Sequence, residues 1–130
     1  MARAALAAAW AAAITAGAVA LHYARLPGKL GDLASYEPAH VVAHVLLYGV
    51  LAALVAAWLR GWSWKVFALV LAVGFVQEAC QTLVFGIPMG AHEAKDLTTD
   101  LLGCAGALLA ARAWRRLMRA RSPKPVARSP

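Results

Sequence analysis

Side chains able to move protons, accept hydrogen bonds or hold a cation recur at helical spacing in otherwise apolar sequence. His40, His44 and Tyr48 stand at i, i+4, i+8, which puts them on one face of a helix. Glu78, Gln81 and Thr82 stand at i, i+3, i+4, and Asp96, Thr99, Asp100 and Gly103 at i, i+3, i+4, i+7. Imidazoles beside carboxylates can relay protons or pair as ions. His40 and His44, one turn apart, could also chelate zinc with a carboxylate from another helix. The stronger HExxH arrangement is absent, so no metal is assigned and no cofactor is expected.

The elements that must position these groups follow from composition. The chain has 130 residues, of which 62% are hydrophobic and 15% charged, with a formal net charge of +7. A soluble domain carries about 45–50% apolar and about 25% charged residues, so an integral membrane protein is the expected class. Disorder of the bulk is excluded, because disorder needs low hydrophobicity. A disulfide scaffold is not expected either: Cys80 and Cys104 both sit within apolar runs and read as small packing residues.

Four apolar segments emerge, at about 4–22, 38–59, 64–85 and 96–117. Each approaches the ~20 residues that a ~30 Å hydrocarbon core requires, and lipid admits only helices at such lengths. The fourth is the weakest, since only 101–111 is free of charge. It spans if Arg112 snorkels and Asp100 faces other helices. The expected fold is all-α: a bundle of four transmembrane helices in residues 1–120, then a disordered basic tail in 121–130. The first segment also has a signal-peptide reading, with Arg3 as the n-region and Ala18-Val19-Ala20 as the cleavage site. Its apolar run exceeds a typical h-region, which favours a retained helix. Its alanines and Gly17 suit close helix approach.

Lysine and arginine set the orientation. With the N-terminus inside, ten cations are cytoplasmic: Arg3, Arg60, Lys65, and seven from Arg112 to Arg128. Only Arg25, Lys29 and Lys95 lie outside, so both termini are expected in the cytoplasm of a multi-pass cytoplasmic-membrane protein. Trp58, Trp62, Trp64 and Trp114 then mark the inner interface, and Tyr23 and Tyr36 the outer. On this topology Glu78 lies roughly 10 Å and His44 roughly 9 Å below the outer surface, with Asp100 one turn into its span. Polar stripes on apolar helices should turn inward, bringing His44, Glu78, Gln81, Asp96 and Asp100 together, with His40, Tyr48 and His92 at the edge.

These residues resemble the VanZ-like family. His44 with Tyr48, Glu78 with Gln81, and Asp96 with Asp100 and Gly103 are similar to its three short motifs in order and span placement, over Pro38 to about Leu109. The sequence departs from the pattern at His40, where the family usually has Asp, at Asp100, where Asn is usual, and at Gly90, where Arg is general. His92 or Lys95 could supply the missing cation. The resemblance implies a small bacterial membrane protein linked to the cell envelope and to low-level resistance to the glycopeptide teicoplanin.

The tail from Arg112 to Pro130 contains Arg-Ser-Pro twice and no aromatic-interleaved module, which argues against nucleic acid. It reads as an extension attracted to anionic lipid headgroups, helical through about Ala120. Three functions are carried forward. The first is a polar pocket in the outer leaflet that binds a lipid or amphiphile headgroup, lipid-linked or glycopeptide ligands included. The second is a membrane-embedded, metal-assisted hydrolase or transferase acting on a lipid-linked phosphate. The third is a structural bundle that assembles with larger partners through Gly103, Gly106, Ala107 and Ala110.

Overall fold

The computed structural model describes residues 1–24, 36–86 and 90–121, without the side chains of 19, 21–24, 85 and 91–93. Expectations placed on Arg25, Lys29, the side chains of Tyr23 and His92 and the tail at 122–130 lie outside the described residues. The described chain is all-α, with four helices: α1 (Ala2–Ala24), α2 (Glu37–Trp58), α3 (Trp64–Phe85) and α4 (Ala91–Arg121). Two of them, α2 and α3, are long and apolar enough to cross a membrane. The apolar stretch of α1, Ala2–Ala18, is shorter.

Local chemistry fixes the helix ends. Pro38 stands in the first turn of α2, where its missing N–H is no loss, and Glu37 complements the helix dipole. At the other end Arg60 takes a left-handed φ of 59°, and the Gly61 N–H donates to the Ala56 carbonyl at 2.8 Å. That is a Schellman closure. Gly86, with φ 68°, ends α3 by donating to the Thr82 carbonyl. The start of α4 differs from expectation. It begins at Ala91, five residues before Asp96, because Ala-His-Glu-Ala-Lys is a helix-favouring run. Lys95 is therefore a helical residue, and Asp96 stands in the second turn of α4 rather than at its first position.

Side-chain contacts fix how the helices run. The Arg3 guanidinium donates to the Ala57 carbonyl in the last turn of α2, and the Trp10 indole N–H donates to the Leu47 carbonyl, each at 3.1 Å. Thus α1 and α2 are antiparallel. Helix α2 packs most extensively on α4, and residues 40 and 44 of one meet 96 and 100 of the other, so these two run in parallel. Their close approach depends on Gly103, where an added Cβ would stand 2.5 Å from the Val45 carbonyl oxygen. Ala107 lies on the same contact, facing Gly49. Two of the four small residues expected to receive outside partners are thus used within the bundle, whereas Gly106 faces open space. A Cβ added at Gly17 would also meet nothing within 4 Å among the described residues, so Gly17 serves no close packing among them.

The inside of the bundle divides by chemistry. Leu51, Ala52, Val55, Val66 and Val70 form an apolar core towards the end of α2 and the start of α3. The end where α2 and α4 begin holds buried His44, Gln77, Glu78, Asp96 and Asp100. The exterior, by contrast, exposes Leu46, Leu83, Leu102 and Leu109 among many large apolar side chains.

Candidate functional site

Two parallel helices whose facing residues repeat every four positions produce a ladder. On α2 the rungs are His40, His44 and Tyr48, and an offset of 56 residues brings Asp96 and Asp100 level with the first two. The same offset brings fully buried Cys104 level with fully buried Tyr48. Helix α3 closes the third side with Gly74, Gln77 and Glu78.

The deeper ion-paired rung is tight. His44 Nδ1 lies 2.7 Å from Asp100 Oδ1, so the N–H of the ring donates to the carboxylate. Asp100 is fully buried, and its other oxygen, Oδ2, has no hydrogen-bond partner among the described residues. That oxygen lies against Gly74, where a Cβ would come within 2.6 Å of it. Glycine at 74 therefore makes the space that the carboxylate occupies.

The outer rung is looser. His40 Nε2 stands 3.4 Å from Asp96 Oδ2, with the His40 side chain 40% exposed and Asp96 buried. The His40 and His44 rings lie 4.5 Å apart, and one ligating atom from each of His40, His44 and Asp96 falls within 4.8 Å of the other two. At the rim Lys95 is paired with Glu37, joining the first turns of α2 and α4. The lysine that could have supplied a cation to the site is thus already engaged by a carboxylate.

Below the histidines, the Tyr48 hydroxyl donates to Gln77 Oε1 at 2.8 Å, and Gln77 Nε2 donates to Glu78 Oε1 at 3.1 Å. The Tyr48 ring stacks near His44, with centroids 5.8 Å apart. A single connected layer therefore joins all three helices.

Most of the expected site is brought together: His40, His44, Tyr48, Glu78, Asp96 and Asp100 share one end of the bundle. Gln81 is half-buried, and among the described residues Glu78 accepts its hydrogen bond from Gln77 instead. Gln77 was missed because counting forward from Glu78 selects 81 and 82. Its own presence in an apolar span was the available signal. Thr99 is buried, but its hydroxyl donates to the Lys95 carbonyl of its own helix. No family model, curated protein or solved structure matches the chain.

Proposed function

We propose that this chain is a four-span, VanZ-like integral membrane protein, with both termini cytoplasmic, that binds the headgroup of a lipid or amphiphile in its outer leaflet. The observation that carries this reading is the inversion of polarity. Glu78 and Asp100 are buried while Leu83 and Leu102 face outward, the reverse of a protein in water. Ionisable groups placed inside a lipid-facing bundle belong by default to a site. An acyl chain has a place as well. A groove of about 840 Å³ between α1 and α3 is lined by apolar side chains such as Ala12, Leu69, Val73, Val76 and Val84. At ~100° per residue these α3 positions lie opposite Glu78, so α3 carries the groove on one face and the polar layer on the other.

The structural alternative is weakened, because Gly103 and Ala107 are consumed in the contact with α2. The test is extraction of the full chain in native lipid discs, with the retained lipids identified by mass spectrometry. A lipid class enriched over the surrounding membrane, and lost in Glu78→Gln at unchanged thermal stability, is the expected result. A lipid profile identical to bulk membrane, or one unaltered by Glu78→Gln, overturns the reading.

A further inference from the structure

We propose that His40, His44 and Asp96 bind a divalent transition-metal ion, zinc by their chemistry, and that Asp100 orients His44 from behind. The proposal stands on geometry and charge, independently of the headgroup reading.

The geometry concerns three ligating atoms contributed by two helices. In zinc sites with Zn–N and Zn–O bonds of about 2.0–2.2 Å, tetrahedral ligand atoms are about 3.3–3.5 Å apart. His40 Nε2 and Asp96 Oδ2 are separated by 3.4 Å. That is long for a hydrogen bond, which prefers about 2.9–3.0 Å, and is the edge length of a zinc tetrahedron. Taking one ligating atom from each of His40, His44 and Asp96, every pair lies within 4.8 Å. Closing the set needs movements of no more than about 1.4 Å, within reach of small χ adjustments.

The second feature is the support behind the ligand. A metal-bound histidine almost always gives its other ring N–H to a carboxylate or carbonyl, which fixes the tautomer and raises the basicity of the ligating nitrogen. His44 has this partner, since its Nδ1 is 2.7 Å from Asp100 Oδ1. In the neutral ring the proton then sits on Nδ1, and the lone pair of Nε2 is available to an ion. Fully buried Asp100 leaves Oδ2 without a hydrogen bond among the described residues, so a negative charge stands here with only one donor to balance it.

Charge gives the third argument. Among the described residues, Asp96, Asp100 and Glu78 are three buried carboxylates around two imidazoles, and Lys95 is held by Glu37. A dication offsets this excess of acid. Two histidines and one carboxylate suit zinc, and three protein ligands leave a fourth position open. The exposed flank of His40 places that position towards the end of the bundle, where an anionic oxygen or water can reach it.

The experiment is zinc binding to the full chain in detergent, freed of metal by chelation and titrated with zinc alone. Cobalt(II) serves as a spectroscopic probe of the coordination. One zinc per chain, with intense visible bands for four-coordinate cobalt, is the expected result. His40→Ala and Asp96→Ala should each weaken zinc binding at least about 10-fold, and Asp100→Asn about 10- to 100-fold, as loss of the carboxylate that orients a ligating histidine does. Glu78→Gln removes a neighbouring charge but no ligand, so it should weaken zinc binding less than His40→Ala or Asp96→Ala does, while abolishing lipid enrichment, which separates this site from the headgroup test. His40→Ala is the decisive variant, because a part-exposed histidine can be removed without unfolding the bundle, as an unchanged thermal transition would verify. No zinc uptake by the folded wild-type chain, or equal affinity in His40→Ala, overturns the proposal.

Discussion

His44 and His40 are the same residue type on the same helix face, yet their surroundings give them different energetic weight. His44 is buried and bonded at 2.7 Å to a fully buried carboxylate, whereas His40 is 40% exposed and 3.4 Å from its partner. Removing one member of a buried pair leaves the other uncompensated, at a cost of about 3–5 kcal/mol, whereas exposed pairs contribute about 0–1 kcal/mol. His44→Ala should therefore destabilise the protein by about 3 kcal/mol, and His40→Ala by less than about 1 kcal/mol. Thermal unfolding in detergent checks this, and equal losses would refute the ranking. Tyr48→Phe belongs to the same scale. It removes the donor to Gln77 Oε1 and leaves that buried acceptor unsatisfied, at about 1–2 kcal/mol in the same assay. A Tyr48→Phe variant as stable as wild type would show that Gln77 finds another donor.

Helix faces were legible in the sequence, and helix register was not. A period of 3.6 residues is enough to place His40, His44 and Tyr48 on one stripe and Asp96 and Asp100 on another. Which rung meets which depends on how far α2 and α4 slide along each other, and glycines set that contact without announcing it. Gly103 belongs both to the inward stripe of Asp96 and Asp100 and to the small-residue face offered to partners, and spacing alone does not choose between them. Gly49 and Gly74 carry no spacing signal of their own. Their distinct roles predict a graded series. At Gly103 an alanine Cβ would meet Val45 backbone atoms at 2.5 and 3.0 Å, which cannot rotate away, so α2 and α4 must separate. Gly103→Ala should cost about 1–3 kcal/mol, as overpacking does. Gly74→Ala meets mainly side-chain atoms of Asp100 and Leu97, so it should displace the carboxylate and loosen the His44 bond at smaller cost to stability. Gly106→Ala meets open space inside a helix and should gain up to about 1 kcal/mol. Thermal melts of the three variants give the order, and a Gly103→Ala variant no less stable than Gly106→Ala would contradict it.

At the scale of the whole molecule, the helix directions sort the charges. Arg3 donates to the end of α2, so it shares that end with Arg60 and Lys65 across the turn into α3. Since α4 runs parallel to α2, Arg112, Arg115, Arg116, Arg119 and Arg121 fall at the same end. Lys95 is at the opposite end, beside Glu37 and with the polar layer nearby. Among the described residues, the charges are therefore sorted into a basic pole and an acidic pole where the candidate site lies. In a bilayer, cations near span ends stay on the cytoplasmic side, and anionic lipid there attracts them by about 1 kcal/mol per residue. The prediction is that a fluorescent reporter fused after Pro130 is active in the cytoplasm while an exported phosphatase fused there is inactive. On the proposed four-span topology, a phosphatase inserted between 31 and 35, before α2, should show the opposite pattern. Replacing the five arginines of α4 with glutamine should weaken this orientation and give a mixed population, since those side chains are five of the eight cations at the basic pole among the described residues. If the reporter at the C-terminus were exported in the unaltered chain, the acidic pole would face the cytoplasm. The ligand would then have to be sought among molecules of the inner leaflet.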